Sequence, residues 1–304
     1  MNQYLDRREF ICSSARATAA VGGMAMLGSV AEAIEPIARQ VKPRFKFSLA
    51  AYSYRDLLMG SPPRLTLADF VEECAKLGLE GTELTSYYFP EPITDAYLQT
   101  LKQQCFLLGL DVSGTAVRND FSLPPGEERQ QQIDWVKKWV DYAEFLGAPV
   151  IRIFAGDEPK GVPAERIHSL IVSGIEECCD YAGRHGVYLA LENHGGPTLT
   201  IEGMMSFVRD VKSPWFGVNL DTGNFLSQDP YRDLEQLAPY AVNVQIKASM
   251  KDEQENKTPS DFPRLAKILR DAHYCGYIVL EYEDAGDPQI ECPKIIGQLR
   301  EAFA

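Results

Sequence analysis

Four acidic or amide side chains close four successive apolar runs in the second half of the chain. Glu192 ends the run from Val187 to Leu191, Asp221 ends Phe216 to Leu220, Gln245 follows Val242-Asn243-Val244, and Glu281 ends Tyr277 to Leu280. They stand 29, 24 and 36 residues apart, each gap about one strand, loop, helix and loop. In a closed barrel of eight parallel strands, successive strand ends converge on one mouth, where that fold carries its chemistry. Three carboxylates and an amide oxygen aimed at one point form an oxygen cage suited to a hard divalent cation. Such a cage points to a metal-dependent enzyme.

Other polar groups stand at expected strand ends. His194 lies two residues past Glu192 and is a candidate for binding substrate hydroxyls. Lys247 lies two residues past Gln245, on the same face of an extended segment, and could neutralise an oxyanion. Arg152 sits between Ile151 and Ile153 and is a candidate substrate-binding group if it points into the barrel mouth; a guanidinium there needs a carboxylate partner, and Glu192 and Glu83 are the candidates. Glu283 competes with Glu281, because one intervening residue puts both on one face of a strand. Tyr52 and Tyr54 follow the first apolar run and could wall a sugar ring, although simple rim packing accounts for them better.

The elements that must position these groups are legible from periodicity and stop signals. Apolar strand-like runs at 45–51, 81–85, 110–117, 150–154, 187–192, 216–221, 241–247 and 277–281 alternate with helical patterns. The helices cover about 66–77, 94–108, 127–146, 164–185, 201–211, 231–237, 263–273 and 288–303, and Gly78, Gly109, Gly147 and Gly186 each follow a helix end. Eight alternations predict a single (β/α)8 barrel of the α/β class over residues 45–304. A doubly wound open sheet is the alternative, but no glycine-rich dinucleotide loop follows the first strand.

The segments Leu191-Glu192-Asn193, Leu220-Asp221-Thr222-Gly223-Asn224 and Gln245-Ile246-Lys247, with Leu280-Glu281, resemble in this order the xylose isomerase-like barrel superfamily of sugar phosphate isomerases and epimerases. The resemblance covers about residues 45–300. It implies one divalent ion, Mn2+, Mg2+ or Co2+, held by Glu192, Asp221, Gln245 and Glu281. It also implies that Glu192 and Glu281 flank the reacting carbons as an acid/base pair, with Asp221 and Gln245 as ligands only. Family members more often carry His where this chain has Gln245. A neutral amide oxygen makes the cage all-oxygen and favours Mn2+ or Mg2+ over Zn2+. Asn224 stands where related sequences often carry His, which suggests a substrate contact. The implied reaction is isomerisation or epimerisation of a sugar or sugar-like keto compound through an enediolate. A lyase or dehydratase acting on a keto-polyol, keto acid or 3-keto-sugar at the same site is the first alternative, and a non-catalytic carbohydrate-binding barrel the next. An abasic-DNA endonuclease of the same superfamily needs a richer histidine set than the four present.

Charge and composition narrow the partners. The chain carries 43 acidic and 30 basic residues, a net charge of −13, which disfavours nucleic acids and anionic membranes. The expected partner is a small-molecule sugar or keto-sugar. Residues 1–33 read apart from the barrel. Arg7-Arg8 precede a weakly apolar stretch from Ala17 to Val30, and Ala31-Glu32-Ala33 follows as a cleavage pattern. This predicts a twin-arginine signal peptide cleaved after Ala33, recognition by the Tat export machinery and a periplasmic or otherwise exported protein. Residues 34–44 form a linker, and no membrane anchor is expected. An exported substrate is expected to be unphosphorylated. Of seven cysteines none lie in a C-x-x-C pair, so buried thiols are expected rather than a disulfide framework.

Overall fold

The protein is described by a computed structural model covering residues 34–304; the expected signal peptide, 1–33, lies outside the described residues. Eight parallel strands close on themselves: β1 (Arg44–Ala50), β2 (Gly81–Thr85), β3 (Asp111–Ala116), β4 (Val150–Ile153), β5 (Tyr188–Glu192), β6 (Phe216–Asp221), β7 (Ala241–Ile246) and β10 (Cys275–Leu280). The ring closes where Leu49 of β1 registers with both Thr82 of β2 and Leu280 of β10. Besides one short turn of helix, Arg55–Leu58, eight longer helices accompany the strands among the described residues: α1 (Leu67–Lys76), α2 (Asp95–Leu107), α3 (Glu127–Leu146), α4 (Ala164–Arg184), α5 (Ile201–Asp210), α6 (Pro230–Leu237), α7 (Phe262–Asp271) and α8 (Pro288–Phe303). The expected (β/α)8 architecture is the observed one, with boundaries within a residue or two. A short hairpin of β8 (Ser249–Lys251) and β9 (Lys257–Pro259), which the alternation of runs does not predict, follows β7.

Local chemistry explains where the helices begin. Thr66 and Asp69 form a reciprocal capping box at α1, and the Thr94 and Thr200 hydroxyls cap α2 and α5. Asp229, Asp261 and Asp287 cap α6, α7 and α8, each with proline in the first turn, where a missing N–H costs nothing. Helix α3 ends at Gly147, whose left-handed φ of +80° suits a residue without Cβ.

The main apolar core lies between barrel and helices. Trp139 of α3 is fully buried there, and its indole donates to Thr115 on the outer face of β3. Truncating it to alanine should cost about 3–5 kcal/mol. Inside the barrel the character changes. Ser48 and Ser113 bond across the lower lumen, and above them lie Glu83, Asn219, Asn243 and Gln245. A lumen of this kind usually carries branched apolar layers; here its upper layers are polar.

Residues 34–43 have no regular structure but are tied to the barrel, since Ile37 N–H donates to the Pro239 carbonyl and Arg39 to that of Ala241. The last residue of the expected linker, Arg44, already belongs to β1. All six cysteines of the described residues are free, five of them buried. No helix among the described residues is long and apolar enough to cross a membrane.

Candidate active site

Glu192 and Asp221 are the last residues of β5 and β6, Gln245 lies in β7, and Glu281 follows β10 directly. All four are buried at the carboxyl end of the barrel. Carboxylate oxygens of Glu192, Asp221 and Glu281 lie within 4.8 Å of one another. Backbone and side-chain bonds hold these strand ends in register. Asn193 uses its whole amide on Asp221, accepting from its N–H and donating to its carbonyl, both at 2.9 Å. Thr222 N–H donates to the Gln245 carbonyl, while the Thr222 hydroxyl accepts from Lys247 N–H. Glu281 N–H donates to the carbonyl of Ile246. The Asn after Glu192 and the Thr after Asp221 therefore align the strands that carry the carboxylates.

Beneath the carboxylates four side chains form a closed ring. Asn219 donates to Gln245 Oε1 at 2.6 Å, and Gln245 Nε2 donates to Glu83 Oε1 at 2.6 Å. Asn243 Nδ2 donates to Glu83 Oε2 at 2.9 Å and to Asn219 Oδ1 at 2.8 Å. Glu83 accepts from both amides, so the Gln245 nitrogen points to Glu83 and also donates to Glu281 Oε1 at 3.4 Å, while its oxygen points to Asn219. The Gln245 carbonyl thus already accepts one bond. Burial, with the Glu281 charge adding to it, pushes the Glu83 carboxyl up to about 7. The sequence reading offered Glu83 as a partner of Arg152; its hydrogen-bond partners are instead Asn243 and Gln245.

Arg152 pairs with Glu192, Nε to Oε2 at 2.8 Å, and also donates to the Val117 carbonyl. Burial would lower its pKa, but Glu192, Tyr87 and Glu281 together outweigh that and raise it. Asn224 donates to the other Glu192 oxygen at 3.0 Å, so Arg152 and Asn224, two of the four groups expected at the substrate, grip Glu192. Burial lifts the Glu192 carboxyl well above its usual range against the pull of Arg152.

Lys247 reaches three carboxylates. Its Nζ bonds Glu281 Oε2 and lies 3.2 Å from Asp221 Oδ2 and 3.0 Å from Glu283 Oε1. Glu281 and Glu283 therefore both belong to the site, the first buried and the second half-exposed at the rim. Burial would raise Glu281, but Lys247 and then Arg152 overcome it and hold the carboxyl below its usual value. Asp221 is pushed up to about 7 by burial, despite Lys247.

The donor set fits a divalent ion. Three buried carboxylates face one another, and Asp221 Oδ2 is buried without receiving a hydrogen bond. Hard cations prefer such oxygen ligands. The Lys247 ammonium occupies oxygens that the ion would need.

The carboxylates open into a cleft of about 780 Å³. His194 stands exposed at its mouth with its ring 4.3 Å from that of Phe154. Desolvation, with the Arg152 and Lys247 charges, pushes its imidazole down to about 4. Tyr52 lines the cleft beside Tyr87, whereas Tyr54 is buried against Phe70 and walls nothing. Sequence reasoning missed the ring residues Asn219 and Asn243 and the wall residues Tyr87, Arg118 and Phe154. The first two carry a signal, because Asn219/Asp221 and Asn243/Gln245/Lys247 alternate with apolar residues at the two-residue strand period. The wall residues are in or beside loops, where no periodicity marks them.

Fold and site together define a (β/α)8 barrel with a buried acidic cluster at its carboxyl-terminal mouth. The chain belongs to the xylose isomerase-like TIM barrel family, whose model matches residues 71–302. Among curated proteins it is similar to L-ribulose-5-phosphate 3-epimerase UlaE of Salmonella paratyphi A, with 25% identity over 175 residues. That match covers 55% of this chain and 62% of the relative, so less than two thirds of the relative's length is spanned. Among solved structures it is similar to D-psicose 3-epimerase from Clostridium cellulolyticum H10, with a TM-score of 0.70, 16% identity and coverage of 85% of this chain and 99% of the other. It is also similar to 3-keto-D-glucoside 4-epimerase YcjR from E. coli, with a TM-score of 0.67, 14% identity and coverage of 86% and 100%.

Proposed function

We propose that this protein is a divalent-metal-dependent epimerase or isomerase of a sugar or sugar-like keto compound. The observation that carries the reading is the buried triad of Glu192, Asp221 and Glu281 at the head of a large polar cleft. The names of the similar proteins, three sugar epimerases, support the same reaction class.

Glu192, Asp221 and Glu281 would hold one ion, Mn2+ or Mg2+ before Co2+, which when bound polarises the substrate carbonyl; Gln245 joins them once its amide turns its oxygen from Asn219 toward Glu281. The environments of the two glutamates differ as an acid and a base require. Glu281, whose carboxyl lies below its usual range, is the group to remove a proton beside the carbonyl. Glu192, whose carboxyl is raised by burial, is the group to return a proton to the enediolate. Arg152 and Asn224 fix the Glu192 carboxylate while this occurs. Lys247 offers an N–H donor to the oxygen on which charge develops. His194, neutral and exposed at the mouth, can meet substrate hydroxyls.

The test is deuterium uptake from D2O into ketoses and 3-keto-sugars, followed by NMR on Mn2+-loaded protein. Wild type should exchange one carbon-bound proton. Glu192→Gln and Glu281→Gln should each slow exchange by roughly 10²–10⁴-fold while circular dichroism shows the barrel still folded. Near-normal exchange in either variant would reject the acid/base assignment, and no exchange with any sugar would reject the reaction class.

A further inference from the structure

The cleft extends well beyond the carboxylates. Cavities of about 300–1,000 Å³ suit drug-sized ligands, and at about 780 Å³ this one exceeds what a single six-carbon sugar fills. Glu192, Lys247 and Glu281 line one end of it. The other end is made by helix α3 and the loops after β3 and β4, which contribute Arg118, Asp120, Leu123, Gln132 and Asp157.

This distal compartment is built by specific interlocks. Asn119 uses its whole amide on the backbone of Phe154, donating to its carbonyl at 2.8 Å and accepting from its N–H at 2.9 Å. Phe121 N–H donates to the Ala155 carbonyl. Gly156, at a φ of +113°, lies so close to Asp120 that a Cβ would fall 1.9 Å from its Oδ1. The loops after β3 and β4 are therefore joined before any ligand arrives, which lowers the ordering cost of binding.

Its polar groups keep unused capacity. Among the described residues Arg118 has no hydrogen bond or ion pair, and neither has the Asp157 carboxylate. Gln132 gives its carbonyl to Asp120 N–H and keeps its amide hydrogens free. Asp120 uses Oδ1 on Ser122 and keeps Oδ2 free. Two donors and two acceptors thus face one space, with Phe154 and Leu123 as apolar edges. A sugar ring matches this pattern, since its hydroxyls donate and accept and its C–H face is apolar. A phosphate does not, because Asp120 and Asp157 would repel it. Arg118 is the one unpaired cation of the wall, Arg152 being held by Glu192 and Lys247 by three carboxylates.

We propose that this compartment is a subsite for a second, neutral sugar ring. The substrate is then an unphosphorylated disaccharide or glycoside, with its keto ring at Glu192 and Glu281 and its second ring among Arg118, Asp120, Gln132 and Asp157. This rests on the sugar reading above and narrows it.

The test compares three matched substrates on Mn2+-loaded protein: 3-keto-glucose, 3-ketocellobiose and 3-keto-glucose 6-phosphate, with kcat/KM read from deuterium uptake. The disaccharide should exceed the monosaccharide at least tenfold, and the phosphate should be the poorest. Arg118→Ala and Gln132→Ala should lower the disaccharide value about tenfold, mainly through KM, so that the ratio approaches one. A monosaccharide or phosphate preference, or a ratio that survives in both variants, overturns the subsite while leaving the reaction standing. Should none of the three exchange, the reaction class fails on this panel, and calorimetry with cellobiose and glucose decides the subsite alone. Tighter cellobiose binding that Arg118→Ala weakens retains it, and no cellobiose binding removes it.

Discussion

Lys247 Nζ lies 3.2 Å from Asp221 Oδ2, an oxygen buried in the barrel mouth that receives no hydrogen bond. The ammonium also bonds Glu281 and pairs with Glu283. One lysine therefore balances part of the charge of three carboxylates, two of which are proposed ligands of a divalent ion. Two cations cannot share the same oxygens at low cost, so an ion must move Lys247 toward the half-exposed Glu283.

Lys247→Met is accordingly expected to tighten Mn2+ binding by tenfold or more, read by titration calorimetry. Without metal, the same change leaves buried carboxylates uncompensated and should lower stability in EDTA by about 3–5 kcal/mol. Unaltered affinity together with unaltered stability would show that the lysine is not the counter-charge of the cluster.

Gln245 is bound into the ring with Glu83, Asn219 and Asn243. Gln245→Leu removes an acceptor from Asn219 and a donor from Glu83, both buried. Unsatisfied buried polar groups cost about 1–3 kcal/mol each, so denaturant unfolding should show a loss of a few kcal/mol. Gln245→His restores an imidazole to the ligand position and should retain Mn2+ binding at some cost to the ring. Loss of all binding with the fold intact would remove Gln245 from the ligand set.

Arg152→Met deletes the main charge partner of Glu192 and a donor to the Val117 carbonyl. Breaking a buried pair costs about 3–5 kcal/mol, and Arg152→Lys should recover little of it because an ammonium lacks the guanidinium's fork. Thermal unfolding of the two variants checks this; full recovery by lysine would mean that only charge matters there.

Deleting residues 1–33 is expected to leave the melting temperature of the barrel unchanged. Arg7→Lys with Arg8→Lys in the full chain should stop export while the protein still folds in the cytoplasm, as fractionation would show. Continued export of that double variant would remove the twin-arginine reading.

The sequence alone was enough to determine the alternation of strands and helices, because most strands here are apolar runs and most helices begin at a Thr or Asp cap. It also determined that Glu192, Asp221, Gln245 and Glu281 share one mouth, since strand ends in a closed parallel barrel have nowhere else to converge. What those side chains do to one another was decided by the tertiary structure. Arg152, on β4, had two candidate carboxylates, on β2 and β5, and only the positions of the strand ends chose Glu192. Gln245 reads as a ligand like its neighbours, yet the packing of β2, β6 and β7 gives it Glu83 and Asn219 as partners. Lys247 bridges β6 and the end of β10, a relationship between residues 26 and 34 positions apart that no local pattern encodes. Hydrophobic periodicity records which face of an element is buried. It does not record which buried polar groups meet, because that depends on distances fixed only when the ring closes.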